Sequence, residues 1–265
     1  MALPASRMAH PATVNNAFYD DLGDRWFEDD GHAIAILRAE GLYKTDYVRR
    51  VLAQAGIRPG RDGHPAAHVV DVACGGGLVS LPLAADGFRV TGIDAAEGAL
   101  DVARRRVPPG ADATFAAADV AALPLEDASA DAVLLLDVLE HIESVPAALA
   151  EAARVLRPGG LVVFNTFNRT PVSAVVAVHA LRLVAPDSPA DLHVARYFVP
   201  PESLRASARY AGLRVDALVG MRPALGLPFW RSLARRRVDA GFRFTTTRSL
   251  ALGYIGTATR VVGDW

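Results

Sequence analysis

The stretch that decides the fold lies at residues 69–77 and reads VVDVACGGG. A short apolar run around one aspartate passes into three consecutive glycines, and a helix-like segment follows. Glycine allows a tight turn and the close approach of a ligand to the backbone, because it carries no Cβ. The first turn of a helix also offers free N–H groups. This pattern predicts a strand-to-helix turn that either binds a ligand or is purely structural.

Short apolar runs alternate with helix-like segments on both sides of this turn along the chain. The predicted strands are residues 68–73, 88–93, 113–117, 131–136, 161–166, 213–219 and 251–260. The predicted helices between them are residues 78–86, 98–106, 145–156 and 201–210. This alternation is typical of an α/β fold with a mostly parallel sheet, here of seven strands, covered by helices on both faces.

The composition restricts the class of protein. The 265 residues include 28 basic and 29 acidic side chains and one cysteine, so an intrachain disulfide and a multi-cysteine zinc site are excluded. The near-zero net charge gives no reason to expect a nucleic-acid partner. The sequence shows neither a secretory signal nor a membrane span, so we expect a cytoplasmic protein, with peripheral contact at the inner membrane surface as an open alternative.

We expect a single domain with two additions around its sheet. Residues 1–60 are predicted to form a loose tail and amphipathic helices that cover the active site, and residues 61–265 to form the core. Residues 171–189 interrupt the alternation and are predicted either as a lid over the sheet edge or as an ordinary packed helix. The basic stretch at residues 231–244 is either a solvated face or a contact for an anionic surface.

Two aspartates follow predicted strands at positions suited to a nucleoside. Asp94 ends the second strand 17 residues after Gly77 and can accept hydrogen bonds from both ribose hydroxyls, or can cap the next helix. Asp119 ends the third strand, where its carboxylate can accept an adenine amine beside Val120 or cap a turn. A dinucleotide fingerprint fits poorly, because Ser80 falls where its third glycine belongs.

The motifs VVDVACGGG, GID, ADV, DAVLLLDVLEH and VLRPGGLVVF, in this order and spacing, resemble those of the class I S-adenosylmethionine (SAM)-dependent methyltransferases. The resemblance covers residues 68–167 and implies a Rossmann-like fold with an antiparallel last strand. Flanking segments such as FYDDLGDRWFEDDG and LHVARYFVPPESL are similar to the ubiquinone-biosynthesis O-methyltransferases, which methylate a phenolic hydroxyl on a polyprenylated ring. The implied substrate is an aromatic, phenolic or quinone-like small molecule.

The resemblance implies a set of cofactor-binding residues for SAM: Asp71, Ala73, Gly75, Gly77, Asp94, Ala95, Asp119, Val120, Asp137 and Val138. Within this set the glycines approach the methionine part, and Asp137 with Val138 lines the opposite side. The family also has a SAM-contacting arginine upstream, and Tyr43 falls at that position here, with Lys44 next to it. We expect Cys74 to pack at the edge of the cofactor and not to act as a nucleophile.

The resemblance further implies a divalent metal, magnesium, on Asp137, Glu140 and His141. Two carboxylates and an imidazole suit a hard cation that lowers the pKa of a phenol. The family usually has glutamate where this chain has Asp137, and the alternative interpretation of the segment is a structural turn. A phenol needs a base or a metal at neutral pH, and the candidate bases are His141 first and His193 second.

The leading hypothesis is therefore a SAM-dependent O-methyltransferase. N- or C-methylation of a specialised metabolite remains an alternative, as does a SAM-binding regulator without turnover. A nicotinamide oxidoreductase is disfavoured by the LEH segment and by the Arg-Pro-Gly-Gly run. The sequence leaves the oligomeric state open.

Overall fold

The computed structural model describes residues 17–28, 34–60, 64–184 and 193–262. Its eight strands are β1 His68–Val72, β2 Arg89–Asp94, β3 Ala113–Ala117, β4 Ala130–Leu136, β5 Leu156–Phe167, β6 Leu213–Pro223, β7 Phe244–Thr247 and β8 Gly253–Arg260. They form one sheet in the order β3-β2-β1-β4-β5-β8-β6-β7. The first five strands pair in parallel, and β8 runs antiparallel to both β5 and β6.

The predicted α/β class and mostly parallel sheet are confirmed, and the strand count is corrected from seven to eight. The additional strand, β7, pairs antiparallel with β6 at the edge of the sheet. Its four residues are a phenylalanine and three threonines, none of them fully buried. An edge strand this short lacks the apolar run that marks the interior strands, so the sequence pattern does not reveal it.

The described helices are α1 Ala17–Asp20, α2 Arg25–Glu28, α3 Ile34–Gln54, α4 Ser80–Ala85, α5 Glu97–Arg105, α6 Val145–Val155, α7 Pro171–Ser173, α8 Leu181–Val184, α9 Pro201–Tyr210 and α10 Leu227–Arg235. A π-helical segment, Ala174–Ala180, joins α7 to α8. Helix α6 begins where the Ser144 hydroxyl accepts the Ala147 N–H, an ordinary N-cap. The helix ends close to the predicted residue 156, but the next strand begins at Leu156 and not at residue 161, because Arg157–Gly160 form the bulged start of β5.

The central strand β4 shows how the sheet is covered on both faces. Side chains alternate across a strand, so Val133 and Leu135 enter a cluster with α6 and α9, whereas Leu134 enters a cluster with α3 and α4. All three are fully buried. The continuous apolar run DAVLLL is therefore explained by two cores, one on each side of the same strand.

Helices α1 and α2 pack beside the edge of the sheet. Leu22 and Trp26 are buried against Ala99 and Val102 of α5, as the spacing of the apolar residues suggested. The loose tail predicted at residues 1–14 and residues 185–189 of the predicted lid lie outside the described residues. Within the described ranges, none of the helices has the length and apolar character needed to cross a bilayer.

Replacing Leu135 with alanine should destabilise the fold by about 2–5 kcal/mol, because the truncation leaves a cavity in a core that cannot fully collapse. Urea unfolding followed by circular dichroism measures the difference. The exposed Tyr210 provides the matched control, since Tyr210→Ala should change the free energy of unfolding by less than about 0.5 kcal/mol. Equal effects of the two substitutions would contradict the assignment of Leu135 to the core.

Candidate active site

A cavity of about 480 Å³ opens at the carboxyl ends of β1, β2 and β4. Doubly wound sheets bind their ligands at this edge. Nine of the ten predicted cofactor residues line it: Asp71, Ala73, Gly75, Asp94, Ala95, Asp119, Val120, Asp137 and Val138. The tenth, Gly77, does not. Side chains separated by up to 67 positions in the sequence thus face one space large enough for a nucleoside and its substituents.

The glycine-rich turn has two glycines with different roles. Gly75 lies at φ +52° on the cavity wall, and a Cβ there would stand 2.4 Å from the ring of Trp26. Gly77, at φ +86°, faces Leu81 and Ala103 instead, with only 3.0–3.2 Å available for a Cβ. Gly77 thus allows close helix packing and does not line the cavity, whereas Gly75 makes room for the Trp26 ring on the cavity wall.

Asp94 ties the tip of β2 to the glycine-rich turn of β1. One carboxylate oxygen accepts the N–H of Gly75 at 2.8 Å, and the other accepts the N–H of Ala96 at 2.8 Å. Burial raises the pKa of this carboxyl, and the backbone donors act in the opposite direction. This geometry is compatible with both interpretations of Asp94. As a cap, it accepts the N–H of Ala96 at the start of the α5 segment. As a candidate ribose ligand, it lines the cavity.

Asp71 is the deepest carboxylate of the cavity and has a side-chain partner. The Ser80 hydroxyl donates to it at 2.5 Å from the start of α4. Burial raises the pKa of Asp71 to about 7, although the Ser80 hydrogen bond opposes the shift. By contrast, Asp119 is exposed, and its carboxylate accepts the N–H of Ala121 at 2.7 Å, as a turn cap does.

Asp137 is held in an unusual backbone conformation directly after β4. Its φ of +54° lies in the left-handed region that few side chains adopt. Asn165 on β5 supports it from two directions, donating its amide to the carboxylate at 2.7 Å and accepting the Asp137 N–H at 3.1 Å. The second carboxylate oxygen pairs with the ammonium of Lys44. Burial opposes ionisation, yet Lys44 and Asn165 hold the pKa of Asp137 below its usual range.

Lys44 is the site residue that the sequence analysis did not assign. It projects from α3, is 2% exposed and lines the cavity, whereas Tyr43 packs with the apolar cluster on the other side of the helix. Glu40, one turn earlier, is its second partner at 3.0 Å. Burial disfavours the charged lysine, but Asp137 and Glu40 outweigh burial and raise its pKa. Tyr43 occupies the position where the family has its arginine, but the basic side chain that faces the cavity here is that of the next residue, Lys44.

The predicted magnesium site on Asp137, Glu140 and His141 is not supported. Among the described residues, no group of three histidine, cysteine, aspartate or glutamate side chains could hold a metal ion. The cavity is lined by Asp137 and His141 but not by Glu140, which is buried with both carboxylate oxygens lacking a hydrogen-bond partner in the described structure. Burial raises the pKa of Glu140 to about 8.

The two candidate bases lie side by side at one end of the cavity. His141 lines the cavity, and the His193 ring lies behind it, with ring centroids 5.5 Å apart. The Nδ1 atoms of both have no hydrogen-bond partner within the described ranges. Burial lowers the pKa of His141 to about 4 and that of His193 to about 3, so both imidazoles are neutral near pH 7. Tyr19 and Phe167 pack edge-on against this pair.

Comparison with known proteins agrees with this architecture. A family model described as a methyltransferase domain matches residues 70–164. A ubiquinone biosynthesis O-methyltransferase of Xanthomonas axonopodis pv. citri (strain 306) is 35% identical over 221 residues, covering 81% of this chain and 84% of that protein. The enzyme of the same name from Bordetella avium (strain 197N) is 34% identical over 210 residues, covering 77% and 81%.

The chain belongs to the ubiquinone-biosynthesis O-methyltransferase family. It is a SAM-dependent methyltransferase, and O-methylation is the activity that the family name carries; the alternatives of N- or C-methylation and of a regulator without turnover are not favoured. Among solved structures, the magnesium protoporphyrin IX methyltransferase of Synechocystis PCC 6803 with bound SAH aligns with a TM-score of 0.62 at 21% identity, covering 93% of this chain and 95% of that one. At this identity the likeness concerns the fold alone.

The single cysteine of this O-methyltransferase provides a probe of the cavity. Cys74 is buried on the cavity wall, and burial raises the pKa of its thiol well above the usual value. A thiol with so little thiolate reacts slowly. We expect a maleimide to label Cys74 slowly and S-adenosylhomocysteine (SAH) to slow the labelling further, as measured by intact-mass spectrometry. Equal labelling rates with and without saturating SAH would contradict the position of the cofactor.

Proposed function

We propose that this enzyme transfers the methyl group of SAM to a phenolic hydroxyl of a quinone-like ring, with His141 as the base. The observation that carries the proposal is the neutral His141 imidazole, whose Nδ1 lacks a partner in the described structure, on the wall of the same cavity as Asp94 and Asp137. The names of the relatives supply the class of acceptor, a ring on the route to ubiquinone.

The residues of the cavity fit SAM in three parts. Asp94 would hold the ribose hydroxyls with the lone pairs left beside its two backbone bonds, and Ala95 would lie next to it. Asp119 and Val120 would flank the adenine. The methionine part would lie between the β1 turn and β4, against the residues Asp71, Ala73, Gly75, Asp137 and Val138. Trp26 would close this end over Gly75.

When bound, SAM supplies a methyl group activated by the positive charge of its sulfonium. The protein has to align the phenol oxygen with the methyl carbon on the side opposite the departing sulfur, and alignment provides the larger part of the rate. His141 would accept the phenol proton. An ordinary phenol is far less acidic than the imidazolium of His141. The proton should therefore leave as the oxygen–carbon bond forms, since the alkylated oxygen is strongly acidic, and not in an earlier step.

His193 is proposed as a wall of the acceptor site and not as the base. It does not line the cavity, and its ring packs between His141 and Phe167. The Ala177 backbone, in the π-helical segment beyond β5, lies near enough to His193 to raise its pKa against the effect of burial, which supports a lid role for the described part of residues 171–189. Tyr19 and Trp26 line the cavity from α1 and α2, which supports the covering role of the N-terminal helices.

Paired substitutions separate cofactor binding from methyl transfer. Asp94→Ala should weaken SAH binding by about 100-fold, since it removes hydrogen bonds to a charged group. His141→Ala should lower kcat about 100-fold with a simple catechol acceptor, because it removes the base, while SAH affinity stays within a few-fold. Isothermal titration calorimetry and a methyl-transfer assay measure the two quantities.

Asp112→Ala and His64→Ala, at exposed positions outside the cavity, are the matched controls. Undiminished turnover of His141→Ala would remove this histidine from the mechanism. Undiminished SAH affinity of Asp94→Ala would remove the aspartate from the cofactor site.

Peripheral contact with an anionic membrane surface would suit a polyprenylated acceptor. Exposed apolar side chains lie on and beside α10, namely Leu225, Leu227 and Trp230, and four arginines accompany them at positions 231 and 235–237. Helix α8 contacts α10, and its Leu183 is exposed as well. Apolar side chains among basic ones are the pattern of an interfacial helix.

Vesicle flotation tests this contact. The enzyme should float with vesicles that contain phosphatidylglycerol and stay in solution with pure phosphatidylcholine, because the arginines require anionic lipid. The double variant Leu227→Ser/Trp230→Ser should float less, and Tyr210→Ala, at an exposed aromatic elsewhere, should behave as the wild type. If the wild type does not bind to anionic vesicles, the peripheral contact does not exist.

A further inference from the structure

A lysine side chain, Lys44, carries a positive charge on the wall of the candidate active site. Lys44 is the sole lysine among the 265 residues, and its ammonium is buried on the cavity wall between the carboxylates of Asp137 and Glu40. Lys44 and Asp137 are 93 residues apart in the sequence. A buried ammonium is costly unless it is paired, so its presence at this position requires the two acidic partners.

Both oxygens of the Asp137 carboxylate already have a partner inside the protein. One oxygen accepts the Asn165 amide at 2.7 Å, and the other pairs with Lys44. A metal ion on Asp137 would have to share an oxygen with one of these donors or displace it. Glu140 cannot assist, because it does not line the cavity.

The charges also disfavour a second cation. A divalent ion on Asp137 would lie against the Lys44 ammonium, and like charges at this distance repel strongly in a buried site. Glu40 keeps the ammonium in place from the other side at 3.0 Å. Asp137 and Glu40 therefore already share one positive charge, the ammonium of Lys44.

We propose that Lys44 replaces the divalent metal ion that the family resemblance implies, and that methyl transfer by this enzyme does not depend on a divalent metal. Lys44 acts as a positioning residue: it fixes the Asp137 carboxylate, in its left-handed backbone conformation, between the cofactor and His141. This inference rests on the proposed function for its reaction, but the state of Lys44 can be measured without any turnover.

The decisive measurement is the NMR spectrum of enzyme labelled with [13C,15N]lysine, in which the single lysine gives a single set of side-chain signals. The folded wild type should show a protected ammonium signal, distinct from the urea-unfolded chain, that does not move when 5 mM Mg²⁺ is added. A Mg²⁺-dependent shift towards the unfolded position would mean that the metal takes Asp137 from Lys44, and would overturn the proposal. This readout is independent of the acceptor and of the base.

Turnover gives the second test, with a simple catechol as the acceptor. EDTA-treated wild type should keep its full rate, and added Mg²⁺ should not increase it. Loss of the rate in EDTA and its return with Mg²⁺ would overturn the proposal. A complete absence of turnover with every phenol would instead refute the proposed function and leave the NMR result standing.

Variants at position 44 separate the charge from the packing. Lys44→Arg should retain more activity than Lys44→Met, and propylammonium should partly restore Lys44→Ala, because it returns an ammonium to the space left by the side chain. Mg²⁺ should not restore Lys44→Ala. The double variant Lys44→Met/Asp137→Asn removes both charges and guards against misfolding from an unpaired carboxylate. Rescue of Lys44→Ala by Mg²⁺ and not by propylammonium would contradict the assigned role.

Discussion

The parallel pairing of β1 with β2 on one side and β4 on the other is the constraint on which the active site depends. Val72, the last residue of β1, lies opposite Ile93 and Leu135. This register brings three chain segments to the same edge, where the glycine-rich turn, Asp94 and Asp137 follow their strands. Apolar side chains on both faces of β4 stabilise the pairing, so the cores hold the polar residues of the cavity at their distances.

Three buried or partly buried carboxylates at one sheet edge create an electrostatic problem that the protein solves differently for each. Backbone N–H groups satisfy Asp94, the Ser80 hydroxyl satisfies Asp71, and only Asp137 pairs with a cation. The carboxylate that carries the ion pair is also the one closest in sequence to His141. The strongest fixed charges thus lie where methyl transfer would take place, and not where the nucleoside would bind.

Much of the fold could be predicted from the sequence, because interior strands and their helices carry strong patterns. The bounds predicted for residues 113–117 and 201–210 agree with β3 and α9. The pattern failed at β7, whose short polar run is indistinguishable from a loop, and at the start of β5, which includes the bulge Arg157–Gly160 ahead of the predicted residue 161. In both places the strand is defined by its pairing with a neighbour, β7 with β6 and Leu156 with Ala130 of β4, and local composition does not reveal such pairing.

The sequence by itself determined the order of strands and helices, the glycine-rich turn and the aspartates that follow the strands, since each depends on residues next to one another. Tertiary structure alone decided which acidic groups converge. It placed Glu140 away from the cavity, turned Gly77 towards helix packing and brought Lys44 of α3 to Asp137. An ion pair between residues 93 positions apart leaves no local pattern, because only the packing of α3 on the sheet sets its distance and burial.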